Sequence, residues 1–163
     1  MLSTLRVVKA DGLAVDRHWE FLRERLLIVK TRTNNPEIGR EASRIRWQPI
    51  QMRAAIMRGL AGQSTVELFF VLAPDDEIRG FFVTTRNVDE FMGIPMDFFI
   101  WLTWSDGAFD VIDQCEPEIE KLARERGCVC IKGMTSREGY VRRLKDKGYY
   151  VEYVNVRKDL MVE

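Results

Sequence analysis

Runs of apolar residues, and the period at which they recur, divide this chain into elements. "LRVVKA" (5–10), closed by Asp11-Gly12, predicts a short first strand. In 15–33, Trp19, Leu22, Leu26 and Val29 recur at three- and four-residue steps, which predicts an amphipathic helix with Asp16 placed to cap it. The turn formers Asn34, Asn35, Pro36 and Gly39 break that helix. Helical spacing resumes over 40–62, with Pro49 starting or kinking a turn and Gly59 and Gly62 ending it. The period then changes. "STVELFFVLAP" (64–74), the turn "DDE" and "IRGFFVTTRNV" (78–88) read as an antiparallel hairpin. "PMDFFIWLTW" (95–104) is almost continuously apolar, as a central strand covered on both faces would be. A helix follows over 107–127, with Ile112, Ile119 and Leu122 facing inward and Pro117 either kinking or restarting it. "CVCIKG" (128–133) is a strand, 136–148 a short helix with Gly148 as its C-cap, and "YYVEYVNVRKDL" (149–160) a last strand. The predicted order is β-α-α-β-β-β-α-β-α-β. It implies a single α/β (α+β) domain, 1–163, with a mixed sheet of about six strands flanked by helices. The strands on either side of the 107–127 helix should pair in parallel through a right-handed crossover.

Composition narrows the function. Hydrophobic residues make up 46% and charged residues 31% of the 163 positions, as in a globular domain. Lys plus Arg and Asp plus Glu each number 25, so no global field selects nucleic acid or an anionic membrane. No apolar run is long enough to span a bilayer, and the N-terminal stretch lacks the apolar core of a secretion signal. The three cysteines, Cys115, Cys128 and Cys130, read as reduced thiols in a cytoplasmic setting. The pair 128 and 130 would share one strand face as small apolar residues, and no metal site is expected.

The order of elements resembles the GNAT superfamily, whose members are acetyl-CoA-dependent N-acyltransferases. The resemblance covers nearly the whole chain. It is strongest in "YVRRLKDKGYYVEYVNVRKDL", with its Gly148-Tyr149 step, and in the glycine-bearing second hairpin strand "EIRGFFVTT". It implies that the central strand splays from its neighbour, so that Ile100, Leu102 and Trp104 offer backbone groups to the pantetheine arm of the coenzyme. It implies that Ser105, Gly107 and Ala108 approach the phosphates. Two family features are absent. The turn "SDGAFDV" has no Q/R-x-x-G-x-G/A pattern, and Asp106 and Asp110 flank Gly107, each costing a bound pyrophosphate about 1 kcal/mol at a surface-like dielectric. Four residues before Gly148, where the family often keeps a tyrosine that protonates the leaving thiolate, stands Leu144. Tyr140, one turn earlier on the same face, could substitute if its hydroxyl reached about 5 Å further along the axis. The junction therefore reads as a degraded phosphate cradle. Small divergent GNAT-like proteins also occur in tailed-phage genomes, so a virion-associated role is one form of the non-catalytic alternative.

Other residues carry weaker signals. A base for the amine could be Glu67, Asp97 or Asp106. Glu67 is the most interesting, a charge in an apolar strand where burial would raise its pKa, although it could equally face water. His18, the only histidine, has no local nucleophile motif beside it. Arg40, Arg44, Arg46, Arg53 and Arg58 form one basic surface. Arg137, Arg142, Arg143, Lys145 and Lys147 form another. These suit a coenzyme 3′-phosphate, an acidic protein or, without specificity, nucleic acid. Trp101 and Trp104, three apart on the central strand, should face opposite sides, one in the core and one in the cleft. The apolar loop "NVDEFMGIPM" reads as an interaction patch, for a protein partner or a second copy, or as a lid. Two functions remain: transfer of an acetyl or other acyl group from CoA to an unknown amine, with Tyr140 and Glu67 as the catalytic candidates, or a catalytically inactive binding or structural module.

Overall fold

The computed structural model describes residues 4–32, 48–89, 91–133 and 138–152. Its elements in order are β1 (Arg6–Lys9), α1 (Gly12–Arg17), α2 (Trp19–Arg32), α3 (Pro49–Leu60), β2 (Glu67–Leu72), β3 (Ile78–Val88), β4 (Pro95–Ser105), α4 (Val111–Glu125), β5 (Cys130–Gly133) and α5 (Glu138–Asp146). The strands form one sheet in the order β1-β2-β3-β4-β5. Neighbours from β1 to β4 are antiparallel, and β5 runs parallel to β4. The hairpin and the parallel crossover follow the sequence reading.

Three readings change. The first predicted helix divides in two at His18. Its cap is Asp11, whose carboxylate accepts the Ala14 N–H at 2.7 Å, while Asp16 lies inside α1. Pro117 neither restarts nor ends α4, which is continuous through it. The sheet has five strands among the described residues. Residues 149–152 form no strand, and the rest of the predicted last strand lies outside the described residues, as do 40–47 of the second helical region.

Two apolar layers sandwich the sheet. On one face α1, α2 and α3 bury Val15, Leu22, Leu26, Met52 and Ile56 against Phe70, Phe81, Val83 and Leu102. On the other, α4 buries Val111, Ile112, Cys115 and Ile119 against Phe69, Phe82, Phe98 and Ile100, and Tyr140 and Leu144 of α5 pack on the same cluster. Strand β4 serves both layers because the β3–β4 register slips at Trp101. Val83 faces Leu102 and Thr84 faces Ile100, leaving one extra residue between them. Such a bulge shifts the strand's alternation by one. Phe98 and Ile100 therefore face α4, whereas Leu102 and Trp104 face α2.

No described helix is long and apolar enough to cross a membrane. The apolar loop expected as a patch is exposed at the tip of the β3–β4 hairpin, with Phe91 96% and Met92 71% accessible. Helix α5 ends as expected. Gly148 takes φ 87°, its N–H donates to the Lys145 carbonyl, and the Tyr149 N–H reaches back to Leu144.

Candidate functional site

The ladder between β4 and β5 is short. It pairs Asp97 with Cys130 and ends with Ile100 opposite Gly133. Beyond it, residues 102–105 of β4 have no β5 counterpart among the described residues, although they remain paired to β3. Along a strand, successive backbone groups point alternately left and right, so some N–H and C=O groups of this stretch point away from β3. Trp104 packs in the α2 layer, stacked on Phe81 with centroids 5.6 Å apart and edge-on to Phe21 at 5.5 Å. Trp101, at the bulge, is 41% exposed.

Strand β4 hands over to α4 through the turn that holds Asp106, Gly107 and Ala108. Gly107 has φ 93°, a left-handed conformation that suits glycine. The turn is bound internally. Asp106 accepts the Ala108 N–H at 3.0 Å and pairs with Arg79. Burial pushes the Asp106 carboxyl up, but Ala108 and Arg79 together hold it below the usual range. The Ser105 hydroxyl donates to the Phe109 carbonyl at 2.7 Å. Asp110 is the N-cap of α4, accepting the Asp113 N–H at 3.1 Å. Arg143 of α5 contacts Asp110 at 2.9 Å and Asp113 at 3.3 Å, and Lys147 contacts Glu116 at 3.1 Å. The two acids that the sequence placed around Gly107 thus take amide donors and cations that a phosphate would use.

Tyr140 stands on α5 one turn before Arg143, whose guanidinium lies 5.3 Å from the centre of its ring. It is half-buried against the α4 layer. Burial pushes its phenol up, and the nearby Asp110 carboxylate adds to the rise, so the ring keeps its proton at neutral pH.

Glu67 is elsewhere. Its side chain is 10% exposed and gripped by Arg126, through Nε at 2.5 Å and a second nitrogen at 3.1 Å, with Lys9 at 3.1 Å. The expected rise in pKa is overturned. Burial pushes the carboxyl up, yet Arg126 and Lys9 outweigh it and bring the net value below the ordinary one. Arg126 caps the far end of α4. The 15 residues of that helix separate Glu67's partner from the turn by about 22 Å.

Asp97 also carries a lowered pKa. Burial opposes the shift, and Cys130, Lys132 and Asn87 drive it through hydrogen bonds. Burial pushes the Cys115 thiol up to about 12, and burial with Asp97 pushes that of the half-buried Cys130 up to about 11. Cys128 precedes the strand rather than sharing a strand face with Cys130. Among the described residues no group of three or more His, Cys, Asp or Glu is placed to hold a metal.

His18 lines a cavity of about 260 Å³ between α1 and the β1 edge, its ring edge-on to Phe70 at 5.7 Å. Of the basic residues, Arg53 pairs with Asp16 at 2.5 Å and lies 5.5 Å from the Trp19 ring. Arg58, Arg142 and Lys145 are exposed, and Arg40, Arg44, Arg46 and Arg137 lie outside the described residues. The sequence reading missed Arg79 and Arg126, and it took Arg143 only as part of a basic surface. Arg79 has a signal in the hairpin register, since Gly80 beside it pairs with Ser105. Arg126 has none, because its partner is 59 residues away.

No family model and no curated protein sequence matches this chain. Solved structures do. One is AAC(6')-Iy in complex with the bisubstrate analog CoA-S-monomethyl-acetylneamine, with TM-score 0.61 and 17% identity over 96% of this chain and 99% of that one. An acetyltransferase of Trypanosoma brucei aligns with TM-score 0.58 and 14% identity, again over 96% and 99% of the two chains. A transcriptional regulator from Bacillus halodurans C-125 aligns with TM-score 0.62 and 15% identity at the same coverage. With its element order, its parallel β4–β5 pair and these likenesses over nearly its full length, the chain has the fold of the GNAT acetyltransferase superfamily.

Proposed function

We propose that the chain transfers an acyl group from a coenzyme A thioester to an amine. The observation that carries this reading is the junction of β4 with α4, where β4 runs past its bulge to Ser105 and a turn with Gly107 at φ 93° leads to the N-terminus of α4. A pantetheine arm is a chain of amides that needs a backbone edge to bond to, and Leu102 and Trp104, past the last described β4–β5 pair, are the residues we assign to it, whereas Ile100 is still paired with Gly133. Ser105, Gly107 and Ala108 stand where its phosphates would arrive, at a helix N-terminus. The pyrophosphate fits only if the Asp106 and Asp110 carboxylates give way, and Arg79 and Arg143, now paired with them, would then turn to the phosphates.

In the reaction the amine nitrogen bonds to the thioester carbonyl carbon and the carbon–sulfur bond breaks. The proton lost by nitrogen ends on the departing sulfur. Tyr140, which keeps its proton at neutral pH, is the residue we assign to deliver it. Glu67 is held as a carboxylate by Arg126 and Lys9, so we assign it to the scaffold rather than to proton removal.

Calorimetric titration with acetyl-CoA tests the reading. Micromolar binding is expected. Ala108→Glu should weaken it at least fivefold and Asp106→Asn should tighten it a few-fold, since one charge near a phosphate is worth about 1 kcal/mol. Tyr140→Phe should lower kcat and leave KM unchanged. No heat at millimolar acetyl-CoA would retire the enzyme reading. The alternative, a non-catalytic binding or structural module, is favoured by one observation: the chain's own carboxylates already fill the cradle.

A further inference from the structure

Helix α2 and strand β4 meet in an aromatic corner that the acyl-transfer reading has not used. The rings of Phe21 and Trp104 stand at 90° with centroids 5.5 Å apart, and Phe81 backs the indole. Arg25, one turn along α2 from Phe21, places its guanidinium 4.0 Å from the Phe21 ring and 5.4 Å from Trp104. Both distances are within the reach at which an aromatic face attracts a cation. Two perpendicular faces around one positive charge make a seat for a cation, occupied by a residue of the same chain.

The seat is not the best place for Arg25 itself. Its Nε is buried with no hydrogen-bond partner, and a buried donor without a partner is unfavourable. Arg25 also pairs with Glu24 at 2.8 Å, whose side chain is 63% exposed. Swinging outward would return Nε to water and keep Glu24 within reach.

The corner is also well placed. Trp104 lies past the last described β4–β5 pair, and the bulge at Trp101 turns it toward α2, away from α4. A coenzyme held at the N-terminus of α4 and an acceptor held by Phe21 and Trp104 would approach β4 from opposite layers. Neither would have to displace the other.

We propose that Phe21 and Trp104 recognise a positive charge on the acyl acceptor, and that Arg25 fills their seat until the acceptor arrives. This rests on the acyl-transfer reading for the word acceptor. The nitrogen that attacks a thioester must be uncharged, so the charge in the seat belongs to a second group of the same molecule. The acceptor class is therefore a diamine or polyamine, with one nitrogen reacting and another held as an ammonium.

The test uses two probes, tetramethylammonium, which can occupy the seat and cannot react, and spermidine. Each is titrated calorimetrically into the parent protein, Arg25→Met, Phe21→Leu and Trp104→Phe, with and without acetyl-CoA. Vacating the seat in Arg25→Met should tighten both probes roughly tenfold, and Phe21→Leu should weaken both about as much, within the range of cation–aromatic attraction. Trp104→Phe keeps a ring against Phe81 and should weaken binding less than Phe21→Leu. Thermal melts identify any variant that fails to fold. In turnover, Phe21→Leu should raise KM for spermidine and leave acetyl-CoA binding unchanged. If acetyl-CoA binds and neither probe binds Arg25→Met, the seat is overturned and acyl transfer stands. If the probes bind with the expected order and acetyl-CoA does not, the cation seat stands and the acyl-transfer reading falls.

Discussion

Glu67 shows what one side chain's surroundings decide. Its carboxylate is held below its ordinary pKa of 4.5 by Arg126 and Lys9. A carboxyl depressed in the folded state stabilises the fold above its unfolded pKa and loses that contribution as pH falls through the folded value. Glu67→Gln should therefore cost about 3 kcal/mol at neutral pH, since it strands a mostly buried guanidinium. The cost should shrink as pH falls below about 4, so that parent and variant urea midpoints converge there. Parallel midpoints down to pH 3 would show that the pair does not carry the difference. The sequence made Glu67 conspicuous, as a charge in an apolar strand, but not its state. Lys9 and Arg126 lie far from it along the chain and meet it only when β1, β2 and the end of α4 assemble. Asp106 and Asp110 were easier to read, because a turn binds its own neighbours. What the residues did not announce is that Arg79 and Arg143 arrive from other elements to pair with them.

Among the elements, α5 is held most lightly. None of its residues is fully buried. It rests on α4 through Tyr140 and Leu144 and through the ion pairs of Arg143 and Lys147 with Asp110, Asp113 and Glu116. Such a helix opens locally before the sheet does. Its amides should exchange with deuterium well ahead of those of α4. Raising salt from 0.05 to 0.5 M should speed that exchange a few-fold by screening the half-exposed pairs. Equal protection of α4 and α5 would show that packing, not charge, secures it. Elements with strong periods were legible: β3 runs from Ile78 to Val88 as its apolar pattern indicates. The break at His18 was not, since Val15, Leu22 and Leu26 keep a helical rhythm straight through it. The period reports which face is buried and says nothing about a single turn that redirects the axis.

At the scale of the molecule, the sheet orders its strands as the sequence does, with one parallel pair at the β5 side. Topology was legible because short turns force hairpins and a helix between strands forces a crossover. The opening beside β4 that the resemblance implies has no signal in the residues, because no residue pattern marks where two strands stop pairing, and the segment after Gly133 lies outside the described residues. The cavity beside His18 is lined from α1, β1, β2 and the start of β3, with no residue of β4.

The extra residue at Trp101 has a last consequence, one of parity. It splices β4 from two half-strands of opposite phase, the first serving α4 and the second α2. Trp101→Ala changes one partly exposed side chain and keeps the count, so its stability should stay within about 1 kcal/mol of the parent. Deleting Trp101 would make Ile100 and Leu102 ordinary alternating neighbours, so the pairs Thr84–Ile100 and Val83–Leu102 would close into a regular ladder with Leu102 and Trp104 still on the α2 side. The deletion should therefore keep a cooperative melt, as the alanine variant does. Loss of that melt in the deletion alone would show that the bulge itself is needed. The expected outcome would mark position 101 as a guest in the ladder, one that neither layer requires.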